Sequence, residues 1–186
     1  MAATPTTNKE LGFTAPEFNL LDVVSDNRMH SNDLMGSKGT VFMFICNHCP
    51  FVIHVREALI RMALDYQNNG IKFIAISSND VENYPQDGPA EMKKLAQELN
   101  FPFPYLFDET QEVAKAYDAA CTPDFSIFDH NKQCVYRGQL DDARPGNGLP
   151  VDGHSIRTVL DQMIQNLPVD KENQKPSIGC NIKWKN

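Results

Sequence analysis

Two cysteines three positions apart, in Cys46-Asn47-His48-Cys49, are the residues whose type and spacing most directly suggest chemistry. On one helical turn a CxxC brings two sulfurs within disulfide reach, so it can close to a disulfide and reopen to a dithiol. Where such a motif opens a helix, unpaired backbone N–H groups and the helix dipole stabilise an anion. Cys46 is therefore expected to ionise more easily than a free cysteine. His48 lies inside the loop, and as a cation or hydrogen-bond donor it would lower the thiol pKa further. Stabilising the reduced form in this way makes the disulfide more oxidising. A CxxC is also half of a zinc knuckle, but neither a second CxxC nor a histidine pair at ligand spacing accompanies it, so no metal is assigned.

The flanking elements supply the setting. Thr40 to Ile45 (TVFMFI) reads as a buried strand entered from the Gly36 and Gly39 turn. Val52, Val55, Leu59, Met62, Ala63 and Tyr66 then fall at helical spacing, and Asn68-Asn69-Gly70 stops that helix. Ile71 to Ser77 is a second strand, which completes a βαβ unit and makes the pair parallel. Asp87-Gly88-Pro89 opens another helix, with Met92, Leu95, Ala96 and Leu99 as its buried stripe. Phe101 to Phe107 gives a short strand, and Asp108 with Gln111 resembles a capping box for a helix from Thr110 to Tyr117. Phe125 to Phe128 alternates, and Asp129 to Lys132 turns the chain back into an antiparallel strand, Cys134 to Gly138. A Gly/Pro loop from Pro145 to Gly153 leads to a last helix marked by Ile156, Val159, Leu160, Met163, Ile164 and Leu167. Phe13 to Val24 is expected to add one or two strands around Pro16. The whole reads as one α/β domain, a central mixed sheet flanked by helices, with a core at about 12–167 and an irregular tail at 168–186.

Composition narrows the function. The 186 residues carry 17 basic and 24 acidic side chains, a net −7, which argues against nucleic acid as a partner. The longest apolar run, Val41 to Cys46, is six residues, far short of the roughly 20 needed to cross a bilayer. Met1 to Gly12 shows no basic stretch followed by an apolar one, so a cytoplasmic location is expected, where disulfides are mostly transient and catalytic. Five cysteines are an odd number, so at least one thiol stays free within the chain.

The residues resemble the thioredoxin-like superfamily, and more closely its peroxiredoxin-like branch related to alkyl hydroperoxide reductase and TlpA-type proteins. The resemblance rests on Gly12-x-x-Ala15-Pro16-x-Phe18-x-Leu20, on Cys46 to Pro50, on Thr122-Pro123 before the hairpin, and on the tail from Pro176 to Trp184. It implies a thioredoxin-like fold, a cis bond before Pro123 facing the dithiol, and a Thr122 backbone that pairs with a substrate chain. The sequence also departs from the family. A peroxiredoxin has Pro seven residues and Thr or Ser three residues before its peroxidatic cysteine; before Cys46 these positions are Gly39 and Met43, and before Cys49 they are Phe42 and Cys46. A thioredoxin has Trp directly before its first cysteine and a buried Asp six residues before it, where this chain has Ile45 and Thr40. The group that accepts the Cys49 proton is thus not identified.

The expected activity is thiol–disulfide oxidoreduction, with Cys46 as nucleophile, Cys49 resolving and His48 tuning the pair. It needs no cofactor. Its partners would be a disulfide-containing substrate and an unidentified electron donor, with no membrane. A thiol peroxidase, antioxidant in role, is the alternative, and a metal-binding or chaperone module the third reading. Cys121 precedes Thr122-Pro123 and is expected near the dithiol as an accessory thiol or a core residue. Cys134 is expected in the core, Cys180 on a tail able to reach Cys46 as a resolving thiol or to pair with another chain, and His54 at the surface. The Pro145 to Gly153 loop is expected at the same sheet edge as the CxxC, with Asp141, Asp142 and Arg144 entering it.

Overall fold

The computed structural model describes residues 3–185. In chain order the strands and helices are β1 (Ala3–Pro5), β2 (Asn19–Asp22), β3 (Asn27–His30), β4 (Gly39–Phe44), α1 (Pro50–Tyr66), β5 (Ile71–Ser77), α2 (Pro89–Glu98), β6 (Tyr105–Phe107), α3 (Glu112–Ala116), β7 (Cys121–Thr122), β8 (Asp124–Asp129), β9 (Cys134–Gly138), α4 (His154–Ile164) and β10 (Ile178–Asn181). Short 3₁₀ turns occupy Ser31–Leu34 and Pro85–Asp87.

Seven strands form the main sheet in the order β3-β2-β6-β5-β4-β8-β9. At its centre β4 runs parallel to β5, with Phe42 opposite Ile74, and antiparallel to β8, with Phe42 opposite Ser126. The apolar run of β4 is continuous because both faces are covered. Val41 and Met43 pack with α1, α2 and α4, whereas Phe42 and Phe44 pack on the other side with Phe18, Tyr117 and Phe128. The βαβ unit, the Pro89 helix start and the β8–β9 hairpin lie where the sequence pattern placed them. All six apolar positions marked on α1 are buried.

Four expectations need correction. The strand expected from Phe101 begins only at Tyr105, because Pro102 and Pro104 have no N–H to give to a ladder. The helix expected from Thr110 to Tyr117 is confined to Glu112–Ala116, and the capping box does not form. Gln111 sits at φ 64 and its side-chain amide bonds to the Ser78 and Lys183 carbonyls instead. Asp108 alone receives the Ala114 N–H, at 2.9 Å. Leu167 lies beyond the end of α4 and is 52% exposed.

The tail is not wholly irregular. Ile178–Asn181 forms β10, the middle of a small sheet ordered β1-β10-β7, with Cys180 opposite Thr122 and Asn181 opposite Cys121. It is fastened on both sides. Ser177 Oγ donates to the Pro123 carbonyl at 2.7 Å, and the Lys183 N–H reaches Asn79 Oδ1 at 2.8 Å. Gly179 permits the approach: a Cβ there would lie 2.1 Å from the Thr122 carbonyl oxygen. Gly179→Ala should therefore lower stability by about 1–3 kcal/mol and loosen the last strand. An unchanged denaturant midpoint, with unchanged amide exchange at residues 178–182, would contradict this packing.

Candidate active site

The CxxC lies between the end of β4 and the start of α1, with Cys49 as the N-cap residue and Pro50 as the first helical residue. Pro is suited to that position because its missing N–H would have no partner in the first turn. Both sulfur residues are enclosed: Cys46 is 2% exposed and Cys49 is fully buried. All five cysteines are free thiols.

The turn is held by Asp87, which the sequence pattern marks only as the lead-in to a helix. Its side chain is fully buried. Asp87 Oδ1 accepts the Asn47 N–H at 2.8 Å and the His48 N–H at 3.3 Å. Its Oδ2 takes His48 Nδ1 at 2.6 Å and the Asn79 side-chain amide at 2.8 Å. Tyr105, buried beneath the loop, donates its hydroxyl to Asn47 Oδ1 at 3.0 Å. His48 also stacks on Tyr84, ring centroids 5.5 Å apart. It is thus a pinned, half-buried side chain rather than a freely solvated one.

The Thr122–Pro123 bond is cis and lies against the dithiol. Thr122 meets both sulfurs: its Oγ1 is 3.5 Å from Cys46 Sγ, and its carbonyl accepts from Cys49 Sγ at 3.1 Å. Cys49 Sγ is also 2.9 Å from Cys180 Sγ. The backbone of Thr122, expected to be open to a substrate chain, is paired with the chain's own β10.

These contacts act on how the resting dithiol ionises. Cys46 is pushed up, first by sharing its proton with Cys49, then by burial and by the negative charge of Asp87, with Thr122 opposing. Cys49 is held down, first by the Cys46 hydrogen bond, against burial, and with help from Cys180 and the Thr122 side chain. The Thr122 carbonyl works the other way, since it accepts a proton from a neutral Cys49 and repels an anion. Two adjacent anions are disfavoured, so the two thiols titrate as a pair and the first proton lost leaves one proton between them.

The remaining candidates separate clearly. Burial, followed by the charge of Asp124, raises the Cys121 thiol, whose S–H points to the Pro123 carbonyl at 3.5 Å. Cys134 is fully buried on β9, and burial pushes it up to about 12. Cys180 reaches Cys49, not Cys46 as expected. His54 is half-buried rather than at the surface, and its Nε2 is shielded without a partner. It lines a shallow cleft with Phe51, Pro123, Arg144, Pro145 and Ile178, which puts the start of the Gly/Pro loop beside the dithiol helix. Asp141 is committed to that loop, accepting the Gly153 N–H at 2.7 Å.

Cys46, His48 and Asp87 bring one donor atom each within 4.8 Å of one another. As they stand they do not fit zinc. His48 Nδ1 and Asp87 Oδ2 are 2.6 Å apart, whereas ligands at tetrahedral zinc are separated by roughly 3.3 Å.

The sheet order and the cis-proline facing a dithiol at the end of the central strand are those of the thioredoxin-like fold, which defines the class. The chain matches the AhpC/TSA family over residues 11–137 and belongs to it. It is a family of redox-active thiol proteins. No curated protein matches the chain significantly. Among solved structures it is similar to an uncharacterized conserved protein of Geobacillus kaustophilus, with 59% identity, a TM-score of 0.97, and coverage of 100% of this chain and 97% of that one. A hypothetical protein of Sinorhizobium meliloti shows 42% identity, a TM-score of 0.95 and 98% coverage of both chains. A structure described as a thiol:disulfide interchange protein DsbE, from Chlorobium tepidum, shares the fold at 17% identity and a TM-score of 0.67, over 83% of this chain and 98% of that one.

Asp87→Asn removes the charge that opposes a Cys46 anion and weakens the anchor of the loop. The pH midpoint for alkylation at Cys46, followed by peptide mass, should move down, and stability should fall by about 1–3 kcal/mol. A midpoint that stays or rises would show that Asp87 does not act on this sulfur.

Proposed function

We propose that the protein is a thiol–disulfide oxidoreductase in which Cys46 attacks and Cys49 resolves. The observation that carries this reading is the way Thr122 serves both sulfurs. Its carbonyl can hold the pair's proton on Cys49, at 3.1 Å, while its hydroxyl lies 3.5 Å from Cys46 as a donor to the anion left there. When the pair holds one proton, placing it on Cys49 leaves the anion on Cys46 and activates it. Cys49 itself is closed in by Thr122 and Cys180, so Cys46 is the sulfur an incoming disulfide meets.

Cys46 thiolate attacks one sulfur of the substrate, forming a mixed disulfide and releasing the other as a thiolate, which takes up a proton. Cys49 then gives up its proton and attacks Cys46 Sγ. The Cys46–Cys49 bond forms, the mixed disulfide breaks, and the substrate leaves reduced by two electrons. An external reductant resets the dithiol. The cleft beside Pro123, walled by Phe51 and Ile178 and flanked by Arg144 and Asp141, lies next to the dithiol helix and would seat part of the substrate.

With dithiothreitol as donor, the wild-type protein should accelerate insulin reduction, and Cys46→Ser should fall to the uncatalysed rate. Equal rates for the two would sink the assignment.

Membership of the AhpC/TSA family favours a second reading, thiol peroxidase. The missing Pro and Thr before either cysteine weigh against it, since no hydroxyl stands three residues before Cys46 to position a peroxide. Stopped-flow mixing with hydrogen peroxide should give a rate close to that of a free thiol. A much faster reaction would put peroxide first.

A further inference from the structure

Cys180 is the feature the two-cysteine scheme leaves unused. It lies 131 residues from Cys49 in sequence, yet the sulfurs are 2.9 Å apart, both buried. A bond between them, at about 2.05 Å, would need less than 1 Å of closure. The contact does not depend on a loose tail. Pairing with β1 and Thr122, the Ser177 bond to Pro123 and the Lys183 bond to Asn79 fix β10 on both sides of Cys180. Cys49 therefore has two sulfur neighbours, one on the CxxC turn and one on the C-terminal strand.

We propose that Cys180 is a third redox thiol, which attacks Cys49 in the oxidised protein and converts the Cys46–Cys49 disulfide into a Cys49–Cys180 disulfide. This deepens the oxidoreductase reading and rests on it. In the exchange the Cys180 thiolate attacks Cys49 Sγ, the Cys49–Cys180 bond forms and the Cys46–Cys49 bond breaks. Cys46 leaves as a thiolate, and the proton given up by Cys180 passes to it. No net oxidation occurs, so no further reagent is needed.

The electrostatics of Cys180 suit a step that follows oxidation. Burial pushes its thiol up to about 12, and the next two causes are the hydrogen bond to Cys49 and the charge of Cys49. Both vanish once Cys49 is in a disulfide and carries no charge, while Lys183 continues to favour the Cys180 anion. Closure of the CxxC thus removes the two contributions of Cys49 that hold Cys180 as a thiol, while burial still opposes its ionisation. The consequence is a free Cys46 in a protein that still stores two oxidising equivalents, now on the C-terminal strand.

Two measurements test this. Cys46→Ser retains four of the five cysteines. Treated with diamide, a two-electron thiol oxidant, it should lose two thiols, and peptide mapping should join the Cys49 and Cys180 peptides within one chain. Retention of four thiols, or pairing only between chains, overturns the proposal. In the second, wild-type protein is oxidised, freed of oxidant and given iodoacetamide. Alkyl label should build up at Cys46 as the Cys49–Cys180 bridge appears, and Cys180→Ser should abolish the labelling. Equal labelling in both proteins, or none in the wild type, also overturns it. Failure of the oxidoreductase reading looks different: the wild type would form no Cys46–Cys49 bridge at any time.

Discussion

A buried carboxylate, Asp87, holds the site together. An anion away from water costs several kcal/mol unless hydrogen-bond donors surround it. Here the donors come from the CxxC turn, through Asn47 and His48, and from Asn79 just after β5. Asn79 in turn accepts the Lys183 N–H of the C-terminal segment. One side chain thus connects the dithiol turn, the exit of the second parallel strand and the segment that follows Cys180. Removing it would leave those N–H groups buried and unpaired, the costlier side of hydrogen-bond energetics. Its charge also shapes the chemistry, because it disfavours a second anion at Cys46.

That arrangement makes Thr122 more than a neighbour of the cis-proline. With Asp87 opposing ionisation at Cys46, Thr122 offers a hydrogen-bond partner to each sulfur, its hydroxyl to Cys46 and its carbonyl to Cys49. The same residue pairs through its backbone with β10, so the edge at which the family resemblance would seat a substrate chain is occupied by the protein's own last strand.

Much of the fold was legible in the sequence because it rests on local pattern. The α1 stripe, the buried run of β4, Pro89 at a helix start and the turn before Cys134 each declare themselves within a dozen residues. The CxxC and its strand-to-helix setting were legible for the same reason. Asp87 was not, since its partners in the turn lie 39 and 40 residues away and Asp-Gly-Pro reads as a helix lead-in. Nor was β10. Ile-Gly-Cys-Asn has no strand alternation, its partner β7 is two residues long, and Gly179 reads as a breaker although it is what allows close approach to Thr122. The influences of Asp87 and Cys180 on the dithiol were not legible either, because both arrive from distant parts of the chain, whereas the helix dipole is a local argument.

The most direct measurement is a redox titration of the wild-type protein in glutathione buffers, with thiols counted and disulfides mapped at each step. The expected result is a reversible two-electron transition in which Cys49 loses its thiol to a bridge within the chain, to Cys46 or to Cys180, while Cys121 and Cys134 stay reduced throughout. A protein that keeps all five thiols across the range, or whose first disulfide excludes Cys49, would contradict a redox centre built on this sulfur.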